Sequence, residues 1–413
     1  MDRMTDKCRK DYKSRLGSLL VIFVLWPLAS LLIAVRQFRF KESRVIFVLF
    51  ALLLGFAFDF SDPLTDGSRY AQWFIEYENK TFNDFILDLS NLGQYGNTDI
   101  YTTCSYFLLS RFTHNPHVLF VVWAGVYFFF LVKFLGIIID YINEKGYKFH
   151  LAAIIFFVGL ALFMPLNAIN GVRMWTAFVV FFYATAKILL RNDNRYFALA
   201  AGTILIHFSF IFSLVFLVFY KTFRNKPIVF HWLLLISFVG SLSFSTVLAP
   251  YVGNLGEGIE QKVEGYLNEE YIALRAEARS TQVWYAEYRQ AILQYFLYFV
   301  LAISYFKLRK RPVSMVLRQC FYFTIVMWSM FNFSSATAVQ GRYFFFFAFS
   351  ALLFLTLASF EFRSNPTFRK IAYCALPFLG VWIGVGQLNA IQSFDYPILI
   401  SNIFALPFIF FHT

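Results

Sequence analysis

Charged residues are scarce. Asp, Glu, Lys and Arg make up 15% of the 413 residues, against roughly 25% in an average soluble domain. Too few charges exist to cover a soluble surface, so a globular core with a polar skin is excluded. Disorder needs low hydrophobicity and high charge, the opposite balance, and is excluded as well. Cysteine is also sparse. Cys8, Cys104, Cys320 and Cys374 are scattered, with no CxxC pair and no His at metal spacing. That pattern gives neither a disulfide framework nor a zinc site. With 20 Gly and 11 Pro the chain is not collagen-like. No internal repeat and no Pro/Gly/Ser-rich linker divides it. The basic stretch Met1–Arg15 is not followed by a small-residue cleavage site, so a cleavable signal peptide is not expected.

What is abundant is apolar. Hydrophobic residues make up 59% and aromatics 22%, including 57 Phe. A transmembrane barrel would show alternating segments of about 10 residues. Here the apolar runs are nearly continuous, as in Val45–Phe60 and Tyr343–Phe360. The expected fold is all-α: a polytopic membrane helical bundle forming one integral membrane domain over 1–413. With about 20 apolar residues per crossing, about 11–13 spans are expected, counting a re-entrant pair. The candidates are Gly17–Val35, Arg44–Phe60, Val118–Tyr141, Leu151–Met164, Val172–Leu190, Tyr196–Tyr220, Ile228–Val247, Ala291–Phe306, Gln319–Ser334, Tyr343–Phe360, Ile371–Val385 and Tyr396–Phe411.

Charge orients the chain. The net charge is +12, but Lys and Arg sit in short gaps between apolar runs. That is the pattern of the positive-inside rule rather than of nucleic-acid binding. Lys307–Arg318 carries five bases and no acid, which places it in the cytoplasm. The two long polar gaps, Ser61–His117 and Ala249–Gln290, hold seven acids each against three and four bases. Both are expected as extracytoplasmic loops. Within the second, Ile259, Val263, Tyr266 and Leu267 share one face of an amphipathic helix. Its tyrosines suit sugar stacking or, more simply, an interfacial aromatic belt.

The threading conflicts with charge in two places. Lys187–Arg195 and Lys221–Lys226 are both basic, yet only Tyr196–Tyr220 separates them. Two short helices that enter and leave would resolve this, with a tip near His207. Irregular backbone at membrane depth is tolerated where protein or a water-filled cavity surrounds it. Met1–Arg15 and Arg36–Arg44 are likewise both basic around Gly17–Val35. Either a hairpin at Trp26-Pro27 or an outside N-terminus would reconcile them.

Four ionisable residues fall in or beside spans, all on the outer side: Asp66, Arg173, His207 and Arg342. Such positions are costly and mark functional candidates. Each has a structural alternative. The arginines could snorkel to the interface, His207 could be a packed core histidine, and Asp66 could cap a helix starting near Gly67. Together they suit phosphate chemistry. Guanidinium groups bind phosphate oxygens bidentately and stay charged in apolar surroundings. Fixed cations stabilise the charge that develops on a departing diphosphate. A carboxylate or imidazole can take the proton of an attacking hydroxyl. No DxD-like pair lies at metal-ligand spacing in the outer loops, so arginine-assisted departure without a metal or other cofactor is expected.

These residues carry a resemblance. Asp66…Tyr70-Ala71-Gln72 follows an early span, and Gly171-Val172-Arg173-Met174-Trp175-Thr176-Ala177 opens a later one. His207-Phe208-Ser209-Phe210 and Gly341-Arg342-Tyr343 complete the set. In this order, over Phe58 to Ser350, the motifs resemble the EpsG-like branch of Wzy-type bacterial polysaccharide polymerases. That family often shows Arg-Gln where this chain has Arg173-Met174. The resemblance implies a GT-C-like inverting glycosyltransferase of the bacterial plasma membrane. It would polymerise undecaprenyl-diphosphate-linked oligosaccharide repeat units on the outer face, into capsule, exopolysaccharide or O-antigen. Donor and acceptor would both be lipid-linked, and a flippase and a chain-length regulator are the expected partners. Arg173 and Arg342 would hold the donor diphosphate. Asp66 would be the general base, with His207 as second choice or a phosphate contact. Arg69, Tyr70, Asn170, Tyr343 and Tyr266 would line the substrate site. An O-antigen-type ligase and a transporter for the same lipid-linked sugar are the alternatives.

Overall fold

The computed structural model describes residues 6–63, 65–91, 99–240, 284–335 and 340–405. Among them the chain is helical, and the one β-bridge, between Phe58 and Phe394, is isolated. Among the described residues five helices are long and apolar enough to cross a membrane: Pro116–Glu144, Leu166–Arg191, Tyr288–Lys310, Gln340–Glu361 and Pro366–Ile391. The protein is a polytopic helical membrane protein. Tyr266 and the amphipathic stretch around it lie outside the described residues.

The elements run α1 (Asp6–Leu25), α2 (Pro27–Arg36), α3 (Lys41–Phe56), α4 (Asp66–Glu76), α5 (Phe82–Ser90), α6 (Ile100–Ser110), α7 (Pro116–Glu144), α8 (Leu151–Ala161) and α9 (Val172–Arg191). After them come α10 (Tyr196–Ile206), α11 (Phe210–Phe223), α12 (Pro227–Gly240), α13 (Trp284–Lys310), α14 (Met315–Phe333), α15 (Gln340–Glu361), α16 (Pro366–Ile391) and α17 (Tyr396–Ile400). Of the apolar stretch expected as a span over Tyr396–Phe411, Tyr396–Ile400 is α-helical and Ile403–Ala405 forms a 3-10 turn, and residues 406–411 lie outside the described residues.

Helix α15 is the centre. Its sequence is apolar on every side, and 94% of its most hydrophobic window is buried, as expected of a helix surrounded by others. Packing directions follow from ring contacts. Trp175 meets Phe345 at 4.7 Å, Phe178 meets Phe346 at 4.9 Å and Phe182 meets Phe349 at 4.7 Å. Numbers rise together, so α9 and α15 run parallel. Helix α14 runs antiparallel to α15: the Ser314 hydroxyl donates to Glu361 Oε2 at 2.7 Å, and Phe331 packs on Phe344 at the other end. Helix α3 runs antiparallel to α7, tied by Arg44 to Asp140 at 2.7 Å.

The bundle therefore has two chemically different ends. One gathers Arg36, Arg44, Arg191, Lys221, Arg224 and the basic turn after α13. The other gathers the starts of α7, α9 and α15 and the acidic segment 59–110.

Both charge conflicts resolve as hairpins. Pro27 cannot continue α1, and Trp26 turns extended at φ −156°. The Ser30 hydroxyl then donates to the Leu19 carbonyl at 2.8 Å. Eleven residues of unbroken helix would hold these groups about 16 Å apart. Arg15 lies over the Phe40 ring at 3.9 Å, so the two basic ends meet. The second hairpin breaks at His207–Ser209, between α10 and α11. Its two ends meet at Asn192, whose side-chain oxygen accepts from Lys221 Nζ at 3.3 Å and Arg224 Nη1 at 3.1 Å. Each arm is shorter than a membrane core, so the pair enters and returns on the basic side.

Within Ser61–His117 the described residues form the helices α4, α5 and α6. Tyr70, Ala71, Phe74 and Tyr77 form the buried stripe of α4 and the 3-10 turn after it. Helices α3 and α7 touch through Gly55, where a Cβ would meet the Phe120 carbonyl and sit 2.7 Å from Val121 Cα. Both neighbours are backbone and cannot swing away. Gly55→Val is therefore expected to destabilise by about 1–3 kcal/mol, as overpacking does, read as a lower unfolding midpoint in detergent. Gly17→Ala, inside α1 and with nothing within 4 Å of the new Cβ, should not lower the midpoint and should raise it slightly, alanine being the better helix former. Equal midpoints for Gly55→Val and wild type would show that the helices do not meet there.

Candidate functional site

Helix α9 starts abruptly. Pro165 and the 3-10 turn Leu166–Gly171 end the preceding path, and Gly171 precedes the first helical residue. This places Arg173 in the first turn, at the non-basic end of the bundle. Its Nη1 donates to Asp99 Oδ2 at 2.8 Å, and its Nε donates to the Tyr70 hydroxyl at 3.2 Å. Asp99 is the other half of a junction. Its Oδ1 accepts the Phe208 backbone N–H at 3.2 Å, from the tip of the α10–α11 hairpin. The Asp99 side chain is 2% exposed and that of Arg173 31%. One carboxylate thus ties α6, α9 and the re-entrant tip together.

A buried ion pair survives only if hydrogen bonds satisfy what solvation no longer does. Here both oxygens of Asp99 are engaged. Two of the three guanidinium nitrogens of Arg173 are held. Its Nη2 makes no hydrogen bond among the described residues, and it is this edge that can meet a ligand.

Helix α4 forms the facing wall. Thr65 caps it by accepting the Ser68 N–H. Asp66 is the first helical residue and not the cap, and it pairs with Arg69 one turn on. Acids at a helix start are favoured by the helix dipole. The Gly67 N–H donates to Asn170 Oδ1 at 2.7 Å, which docks α4 onto the turn before Arg173. Only glycine allows this approach, since a Cβ would lie 2.7 Å from Phe58 Cε1. Tyr70 is 3% exposed and meets the Trp123 ring edge-on at 5.4 Å.

His207 ends α10. Its Nδ1 accepts the Ser209 N–H at 3.2 Å and lies 2.9 Å from the Ser209 hydroxyl. An Nδ1 that accepts from a backbone N–H puts the proton of a neutral imidazole on Nε2, the donor side. Arg342 lies half-buried in the first turn of α15. Because α9 and α15 run parallel in register, Arg342 and Arg173 sit at the same end. Tyr343 points into the bundle, 8% exposed and 6.0 Å from Phe346.

The structure thus brings Arg173, Tyr70, Asn170, Gly67 and the His207 turn into one cluster. Asp66 and Arg69 stand at its rim, with 43% and 57% of their side chains exposed. Asp99 was missed by sequence reasoning. So was a polar layer near Arg173, in which Tyr106 and Trp123 bury side-chain polar atoms with no hydrogen-bond partner among the described residues. Burial pushes the Tyr106 hydroxyl far above its ordinary value, so it stays neutral near Arg173 and Asp99. No group of three or more His, Cys, Asp or Glu side chains suited to a metal occurs among the described residues.

Fold and site together define a polytopic helical membrane protein with a fixed, half-buried cation at one end. A model described as the EpsG family matches residues 43–396, and the chain belongs to that family. Comparison with curated proteins and with solved structures gives no match.

Proposed function

We propose that the protein is a membrane glycosyltransferase that polymerises undecaprenyl-diphosphate-linked oligosaccharide repeat units at the outer face of the bacterial plasma membrane. Membership of the EpsG family supports a polysaccharide-polymerase role. The observation that carries the chemistry is Arg173, held by Asp99 and Tyr70 with one edge spare. The positive-inside rule assigns the basic end to the cytoplasm, which turns the Arg173 end outward.

In this reading Arg173 and Arg342 bind the donor diphosphate. An acceptor sugar hydroxyl attacks the donor anomeric carbon from the side opposite the diphosphate. The carbon–oxygen bond to the diphosphate breaks as the new glycosidic bond forms, with inversion. The hydroxyl proton goes to Asp66. The arginines stabilise the charge on the departing diphosphate in surroundings of low dielectric. His207, with its proton on Nε2, acts as a donor to phosphate rather than as a base. Arg69, Tyr70 and Asn170 shape the wall, and Tyr343 and Tyr266 remain proposed sugar contacts.

The test is product length. Purified protein in lipid nanodiscs, given one undecaprenyl-diphosphate repeat unit, should yield a ladder of products. A single transfer to a separate acceptor would instead indicate a ligase. The broken α10–α11 pair also suits a transporter, because interrupted helices near mid-membrane are common there. Unchanged substrate appearing across sealed vesicles, with no ladder, would replace the polymerase reading by that one.

A further inference from the structure

A further cation lies at the non-basic end, apart from the Arg173 cluster. Arg289, in the early turns of α13, is half-buried and sits over the Trp382 ring, 5.3 Å from its centroid. It makes no ion pair and no hydrogen bond among the described residues. A half-buried guanidinium without a carboxylate carries a desolvation cost that the Trp382 ring offsets only in part. It lines a cavity of about 220 Å³ together with Asn167, Phe345, Ile383, Gln387 and Asn389.

The walls of this cavity are fixed. Trp382 stacks on Phe163 at 5.1 Å, and its Nε1 donates to the Phe163 carbonyl at 3.0 Å. Gln387 accepts the Leu166 N–H at 3.0 Å and donates to the Met164 carbonyl at 2.9 Å, holding the turn that leads to Arg173. Phe345 separates the two cations. It packs on Trp175 at 4.7 Å on one side and on Trp382 at 5.4 Å on the other. Arg342 lies one turn before Phe345 on the same helix.

We propose that the Arg289 cavity is a second anion-binding site, built for a phosphate or diphosphate group. Guanidinium recognition of phosphate oxygens supplies the affinity. The exposed amide of Asn389 adds a donor at the mouth. The volume is below the roughly 300–1,000 Å³ of sites that enclose a drug-sized ligand. The site therefore takes a headgroup and leaves the rest of its carrier outside. The apolar side chains of Phe345 and Ile383 on the same wall suit an amphiphilic carrier. The inference does not need the polymerase reading. Where it deepens that reading it rests on it: joining two lipid-linked units brings two diphosphates to one end of the bundle, and Arg289 holds one.

Native mass spectrometry of the full purified chain, titrated with farnesyl diphosphate and separately with sodium pyrophosphate, tests this. Two bound farnesyl diphosphates are expected for wild type and one for Arg289→Gln, with at least ~10-fold weaker binding at the altered site. Gly386→Leu gives an independent arm. Gly386 lines the cavity, and nothing lies within 4 Å of an added Cβ, so leucine fills the space without a helix clash. It too should bind one. Pyrophosphate binding that depends on Arg289 would make the free anion a ligand, and binding of farnesyl diphosphate alone would make the carrier part of the recognition. Wild-type stoichiometry and affinity in both Arg289→Gln and Gly386→Leu would overturn the inference. Arg289-dependent binding by a protein that makes no ladder would leave the inference standing and remove the polymerase reading.

Discussion

Arg173→Ala abolishes polymer while the protein still accumulates in the membrane: that is the expected result. The substitution removes a guanidinium that is held by Asp99 and Tyr70 and keeps one nitrogen for a ligand. Losing one such preorganised donor typically costs about 10²–10³ in rate. The effect here should fall within that range, because the lost donor is a full charge held in place beside a departing diphosphate. Arg173→Lys sharpens the argument. Lysine keeps the charge but lacks the planar fork, so it cannot engage Asp99 and Tyr70 together and still present an N–H outward. An intermediate loss is expected, of about 10–10². Membrane abundance by immunoblot and product length by gel separate a folding defect from a chemical one. Normal chain lengths in Arg173→Ala would remove this residue from the mechanism, whatever the family.

Much of this arrangement is legible in the amino-acid sequence, and the legible parts share a cause. Membrane sidedness leaves a record in Lys and Arg placement. The two stretches where charge forbids a single crossing, around Trp26-Pro27 and His207, are the two that fold back. Arg173, Tyr70 and Asn170 are legible because polar residues at the mouths of apolar spans have few structural uses. Asp99 is not. Its partners lie 74 and 109 residues away, and no local pattern encodes such a contact. The one available signal is modest: an acidic residue directly before the apolar run Ile100–Ser110 that does not cap it, since no cap hydrogen bond forms there. Asp66 stands out instead because it sits in a compact motif, yet its nearest charged partner is its own helix neighbour Arg69. The helical nature of α4, inside Ser61–His117, is readable from the spacing of Tyr70, Ala71, Phe74 and Tyr77. Acid content hides it, by making the segment look like a loop.

Asp99 also makes the second large prediction, because its two oxygens do separable work. Asp99→Asn keeps a side-chain oxygen for the Phe208 N–H but removes the charge facing Arg173. The re-entrant tip should stay pinned, while Arg173 loses the partner that sets its direction. A loss of activity of about 10–10² is expected, with a smaller loss of stability than in Asp99→Ala, because Asn keeps a hydrogen-bond acceptor but not the charge. Asp99→Ala removes both contacts. It leaves an unpaired arginine in the bundle, and breaking a buried pair from one side usually costs about 3–5 kcal/mol. The lower figure applies, because almost a third of the Arg173 side chain is exposed. The double variant Asp99→Ala/Arg173→Ala tests the cause. If the orphaned charge is what destabilises, removing it too should return most of the lost unfolding midpoint, with activity still absent. A double variant less stable than Asp99→Ala would mean that Arg173 has other anchors strong enough to hold it, and that Asp99 acts chiefly through the hairpin tip.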